Sequence, residues 1–136
     1  MLRRLNPVDL IAAVQAKVKE KTELECYDAV PHDAPSPFYY IEFINRTPKN
    51  SKTMYRDVYT VWIHSIAEAS ESSLGVYNLI NKLEEALSEY ITLDESFEII
   101  NQTDEGVLNI QTDETGEKHA VSSFSFDICY GYKCKI

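Results

Sequence analysis

The side chains from which a nucleophile, a metal site or an acid–base pair could be built are three cysteines, three histidines and a surplus of carboxylates. A catalytic thiolate needs an electropositive site, a base and a partner that orients the base. Cys129, the strongest candidate with His64 or His119, instead sits two residues from Asp127 in an alternating, strand-like segment. A carboxylate that close raises a thiol pKa, so Cys129 reads as a packed or surface thiol. Cys129 and Cys134 are separated by four residues and could form a redox pair. The odd count with Cys26 does not suggest a disulfide framework. His32, His64 and His119 are isolated in sequence and show no metal-ligand spacing. His119 lies near Asp113, Glu114 and Glu117, but those three occupy a predicted turn and read as solvated.

The remaining chemistry is equally sparse. Glycines at 75, 106, 116 and 131 form no phosphate-cradling loop. Glu84 and Glu85 fall on the wet face of a predicted helix, whereas a catalytic carboxylate pair needs one buried member to split its pKa values. Glu42 and Asp57 interrupt two otherwise apolar strands, where they could pair with Arg56, Arg46 or each other as an edge or intersubunit ion pair. These residues predict no enzyme, no metal and no cofactor.

Charge is segregated. The formal net charge is −9 over 136 residues, and Glu68 to Glu117 holds thirteen acids against one base, Lys82. Arg46, Lys49, Lys52 and Arg56 cluster without an acid among them. Phosphate neutralisation needs a basic surface, so an acidic domain of this kind is a poor generic nucleic-acid binder. The acidic half reads as a solvated, self-repelling face, or as a surface meeting a basic partner or another negatively charged object. No run approaches the roughly 20 apolar residues of a membrane span. The basic start, Met1 to Arg4, runs into Asn6, Pro7 and Asp9 rather than a secretory core. A reducing cytoplasm is the default compartment.

The elements that must position these residues follow from periodicity and caps. Asn6 and Pro7 give a helix start, and Leu10, Ile11, Val14 and Val18 form one stripe ending near Lys19 to Lys21. Leu24 to Ala29 reads as a short strand, and Pro31, Pro35 and Pro37 make the following segment an ordered extended loop. Phe38 to Asn45 and Tyr55 to Ile66 predict two long strands joined as a hairpin through residues 47–52. Both are apolar on nearly both faces, which suggests central strands or an outer face meeting another subunit. Ser70, Ser72 and Ser73 are alternative caps for a second helix, with Val76, Leu79, Ile80, Leu83, Leu87 and Tyr90 at its period. The tail predicts a meander: Phe97 to Thr103, a turn at Asp104-Glu105-Gly106, Val107 to Thr112, a turn at residues 113–116, and a last strand. In that strand Phe124, Phe126, Ile128 and Tyr130 oppose Ser123, Ser125 and Asp127. The expected fold is one α+β domain over residues 1–136, a mostly antiparallel sheet with two helices packed on it, in the order α-β-β-β-α-β-β-β.

Nine tyrosines include Tyr39, Tyr40, Tyr55 and Tyr59 on the hairpin. Tyrosine suits interfaces because it buries a large area while keeping a polar tip, although filling the sheet's core accounts for some of the nine.

Three features resemble the tail terminator, or tail-completion, family of long-tailed bacteriophages and related head–tail joining proteins. An amphipathic helix of the Val8-to-Val14 kind leads into a short strand. The stretch Cys26 to Pro31, followed by Ser36 to Ile41, is similar to the family's tyrosine-to-proline stretch before its first long strand. Tyr59 to Ser65 then precedes a small-residue linker, a helix like Val76 to Leu87 and a terminal meander. The resemblance covers nearly the whole chain in order of elements and carries no catalytic residues.

It implies a homo-oligomeric ring, commonly a hexamer, that caps the tail tube at the tail–head junction of the virion and joins the head, after assembly in the bacterial host. Its partners would be itself, the tail tube and head-completion proteins, with DNA passing through unbound and no membrane involved. A negative lumen would keep the duplex from sticking. The expected contact residues are Tyr39, Tyr40, Arg46, Lys49, Lys52, Tyr55, Arg56 and Tyr59, set against acidic surface on a neighbour or the tube; a merely solvated loop is the alternative for the four basic residues. Two other function classes stand beside this one: a small cytoplasmic adaptor or regulatory binding domain, and an enzyme whose site assembles between subunits.

Overall fold

A computed structural model describes residues 2–133. The first helix, α1 (Pro7–Thr22), starts where the sequence signals it. Asn6 Oδ1 accepts the Val8 N–H at 2.9 Å, with Pro7 at a position needing no donor. Leu10, Val14 and Val18 are fully buried along its inner stripe, each contributing about 1.5–3 kcal/mol before entropy. The helix closes on Glu23, whose φ of 63° is left-handed and whose N–H reaches the Lys19 carbonyl.

Five strands form one sheet in the order β1-β2-β3-β5-β4. β1 (Cys26–Tyr27) is shorter than the expected Leu24 to Ala29 and pairs parallel with β2 (Phe38–Pro48). β2 and β3 (Met54–Ile66) make the long antiparallel hairpin. β4 (Glu98–Thr112) and β5 (Lys118–Tyr132) make a second, with β5 inserted between β3 and β4. Between the hairpins runs α2 (Leu74–Ala86), which buries Val76, Leu79, Ile80 and Leu83. It ends before Tyr90, which is exposed rather than part of the helical stripe. Ser73 occupies the cap position without a side-chain bond, while Ser72 Oγ accepts the Leu74 N–H.

The α+β class and the mostly antiparallel sheet with two helices are as the sequence predicts. The tail differs in one respect. Asp104-Glu105-Gly106 does not turn the chain; β4 runs straight through it, so the expected three-strand meander is a two-strand hairpin and the order ends β-β. Gly106 takes a φ of 99° at a register shift, and Asp104 Oδ1 accepts its N–H at 2.8 Å. The residues that favour a tight turn therefore make a bulge here.

Both helices lie on one face of the sheet. α1 covers β1 and β2, α2 covers β3 and β5, and the two helices meet each other. Ile41, Tyr59, Val61, Ile63, Phe124, Phe126 and Ile128 point into the core between them. Among the described residues the opposite face carries no helix, and β4 stands at the sheet edge beside the C-terminal end of α2.

Candidate interaction surface

The β2–β3 tip projects beyond the part of the sheet the helices cover. Its loop is ordered by its own side chains: Ser51 Oγ accepts the Met54 N–H at 3.0 Å, and Asn50 Oδ1 accepts the Arg56 N–H at 3.0 Å. The four expected basic residues then divide. Arg56 is turned inward, donating from Nη1 to Asp127 Oδ2 at 3.1 Å and from Nε to the Lys49 carbonyl at 3.1 Å. Lys49 Nζ lies 3.9 Å from the same carboxylate but stays exposed. Arg46 and Lys52 are exposed and carry no ion pair among the described residues.

The tyrosines divide as well. Tyr39 and Tyr59 do not belong to a contact surface: both are fully buried on the helix side. Tyr39 Oη donates to the Leu79 carbonyl of α2 and Tyr59 Oη to the Leu5 carbonyl, each at 2.7 Å. Burial drives both phenol pKa values up. Alternation forces this, because Ile41 and Val61, two residues along, face the same core. Tyr40 lies half-buried on the bare face. Tyr55, also half-buried, shares the helix-side alternation of Asp57 and Tyr59 and lies beside Tyr130 and the Lys133 amine.

Glu42 and Asp57 pair with neither Arg46, Arg56 nor each other. They point to opposite faces. Glu42, on the bare side, accepts from His64 Nε2. Asp57, wholly buried on the helix side, meets Arg4 Nε at 3.1 Å. Arg4 comes from the segment before α1 and also lies over the Tyr130 ring. The N-terminal segment is thereby clamped across the sheet end by Arg4 and Leu5. Nothing in the composition signalled that role.

Nor are His64 and His119 isolated, whereas His32 is fully exposed. His64 Nδ1 lies 2.7 Å from His119 Nε2, and Tyr40 stacks on His64 with ring centroids 4.0 Å apart. Burial, then His64, lowers the His119 pKa, against smaller raising effects of Asp113 and Glu42. Among the described residues no group of three or more His, Cys, Asp and Glu side chains is placed to hold a metal ion. Burial pushes the Cys26 thiol up to about 12, so it carries negligible thiolate near neutral pH. Cys129 is buried with Sγ donating to the Gly131 carbonyl at 3.4 Å, and Cys134 lies outside the described residues.

The acidic side borders the open edge. Glu84 of α2 lies beside Asp104 of β4, and burial first, then Asp104, raises its pKa. Val107, Leu108 and Ile110 of β4, and Leu74 and Tyr77 of α2, are exposed. The surface thus offers a basic tip at one place and an acidic, partly apolar edge at another. That arrangement suits contact between macromolecules.

Over residues 1–136 the chain matches the model of a phage tail terminator family, described as tail termination proteins. Its fold is similar to a chain in the virion of a native gene transfer agent (GTA) particle, with a TM-score of 0.64 at 15% identity, covering 90% of this chain and 96% of that one. No curated protein matches it.

Proposed function

This chain belongs to the phage tail terminator family, and from that premise we propose that it closes the tail tube as a homo-oligomeric ring, commonly six copies, and presents a surface to the head. The family match over the full length carries this reading, and the separation of charge on the surface supports it. In a ring each copy must offer two different surfaces, one to each neighbour. The exposed cations Arg46, Lys49 and Lys52 and the acidic α2–β4 side are two such surfaces. Tyr55, half-buried near the tip, adds aromatic area there, while Tyr40 stacks on His64 toward the other end of the hairpin. Arg56 instead shapes the tip from within, through Asp127.

Partners in this reading are further copies of the chain, the tail tube and head-completion proteins. DNA passes through without specific binding, and the excess of acids keeps the duplex from adhering. The work is contact rather than catalysis. The test uses phage carrying Lys49→Glu with Lys52→Glu, substitutions on exposed side chains that leave the core untouched. Tails that fail to join heads, with the variant protein still folded, support the assignment. Normal yields of joined particles refute the role of the tip.

A further inference from the structure

Four side chains on the bare face of the sheet meet around one imidazole. His64, only 6% exposed, stands on β3. Its Nε2 is hydrogen-bonded to Glu42 Oε1 of β2, its Nδ1 lies 2.7 Å from His119 Nε2 of β5, and Tyr40 of β2 covers its ring with 4° between the planes. Three strands are therefore joined through one side chain.

The protons in this row are fixed by what each atom can do. An ionised carboxylate only accepts, so His64 Nε2 carries a proton. Two imidazole nitrogens at 2.7 Å hold one proton between them. With both rings neutral, His119 Nε2–H donates to His64 Nδ1. With one proton added, His64 becomes the cation and donates from both nitrogens, to Glu42 and to His119. Every contact survives. A second added proton sets N–H against N–H, and the His64–His119 contact must break.

We propose that Glu42, His64 and His119 form a proton-operated latch across β2, β3 and β5, closed with zero or one added proton and opened by the second, when His119 swings away. The ionisable groups facing it are Glu42 and Tyr40 from β2, His64 from β3, His119 from β5, and Asp113 from the turn after β4. Lys118, next in the chain to His119, has its amine on Thr112 Oγ1. Burial and the charge on a protonated His64 oppose a proton on His119, and the raising effects of Asp113 and Glu42 are smaller. The latch is a property of the single chain and does not depend on ring formation.

Nitrogen-15 NMR of the imidazoles in the wild-type protein, titrated from pH 8 to pH 5.5, tests this directly. His32, with its side chain fully exposed, is the internal reference. Two independent histidines of ordinary pKa would take up nearly two protons by pH 5.5. The latch takes up about one, with His64 protonated at both nitrogens and its contact with the Tyr40 ring retained. A His119→Gln variant keeps a group that can donate to or accept from His64 Nδ1, so His64 should still titrate while no second step follows at lower pH. Uptake of two protons by the pair over that range would overturn the proposal. Should the variant fail to fold, the wild-type titration alone decides.

Discussion

Gln102 is the residue whose replacement tests the architecture most sharply. It sits on β4, the edge strand that the helices do not cover, and its side chain reaches back to the end of α2. Nε2 donates to the Leu87 carbonyl at 2.7 Å and to the Glu89 carbonyl at 2.8 Å, while Oε1 accepts the Ile91 N–H at 3.0 Å. One side chain therefore satisfies backbone groups left over where the helix stops. Gln102→Ala removes all three bonds. At about 0.5–1.5 kcal/mol net each, and with the exposed Glu89 carbonyl free to bind water, the loss is about 2–3 kcal/mol. For a chain of this size that is a fall in Tm of roughly 6–12 °C. Urea unfolding should show a lower midpoint at an unchanged slope, since the surface exposed on unfolding is the same.

Gln102→Glu sharpens the test. Its carboxylate can still accept from Ile91 but cannot donate to the two carbonyls. Those carbonyls disfavour the charged form, so the folded-state pKa of the new Glu lies above its unfolded value of about 4.3. Stability relative to Gln102→Ala is then lowest near pH 7 and recovers as pH falls toward 4 and the acid regains a donor. A Gln102→Ala variant as stable as wild type, or a Gln102→Glu variant with no such recovery, would refute the clamp.

Two further substitutions separate local effects from packing. Tyr59→Phe should cost about 1–3 kcal/mol in urea unfolding, because the Leu5 carbonyl loses its buried donor, and Tyr39→Phe should cost less, because the Leu79 carbonyl keeps its place in α2. Equal losses would contradict the assignment of Tyr59 to the N-terminal clamp. Glu23→Gly should raise stability by about 0.5–1 kcal/mol by relieving the left-handed cap, read as a higher midpoint of thermal unfolding.

The legible parts of the fold were those written in local patterns. The Asn6-Pro7 cap, the stripe of α1, the hairpin strands and the alternation of Phe124, Phe126 and Ile128 all declare themselves within one element. What failed to show was set by register. Glu42, His64 and His119 are brought together by strand pairing across 22 and 55 residues, a distance over which spacing carries no signal. Alternation says that Tyr39 and Tyr40 face opposite sides, but not which side the helices will cover. Tyr59 finds its acceptor 54 residues away on the N-terminal segment, and Arg56 finds Asp127 across 71. Asp104-Glu105-Gly106 misled for a different reason: an Asx bond and a positive φ serve a bulge as well as a turn. Among the interface candidates, burial removes Tyr39 and Tyr59, and Arg46, Lys49 and Lys52 are exposed.

The central claim is that copies of this chain close the tail at the head junction. Cryo-electron microscopy of intact particles, with a map detailed enough to trace the two helices and five strands, tests it directly. The account predicts a ring of copies at the head-proximal end of the tail tube, with each β2–β3 tip turned toward a neighbouring subunit or the tube. Particles with that position filled by another fold, or with this chain absent from the junction, would contradict it.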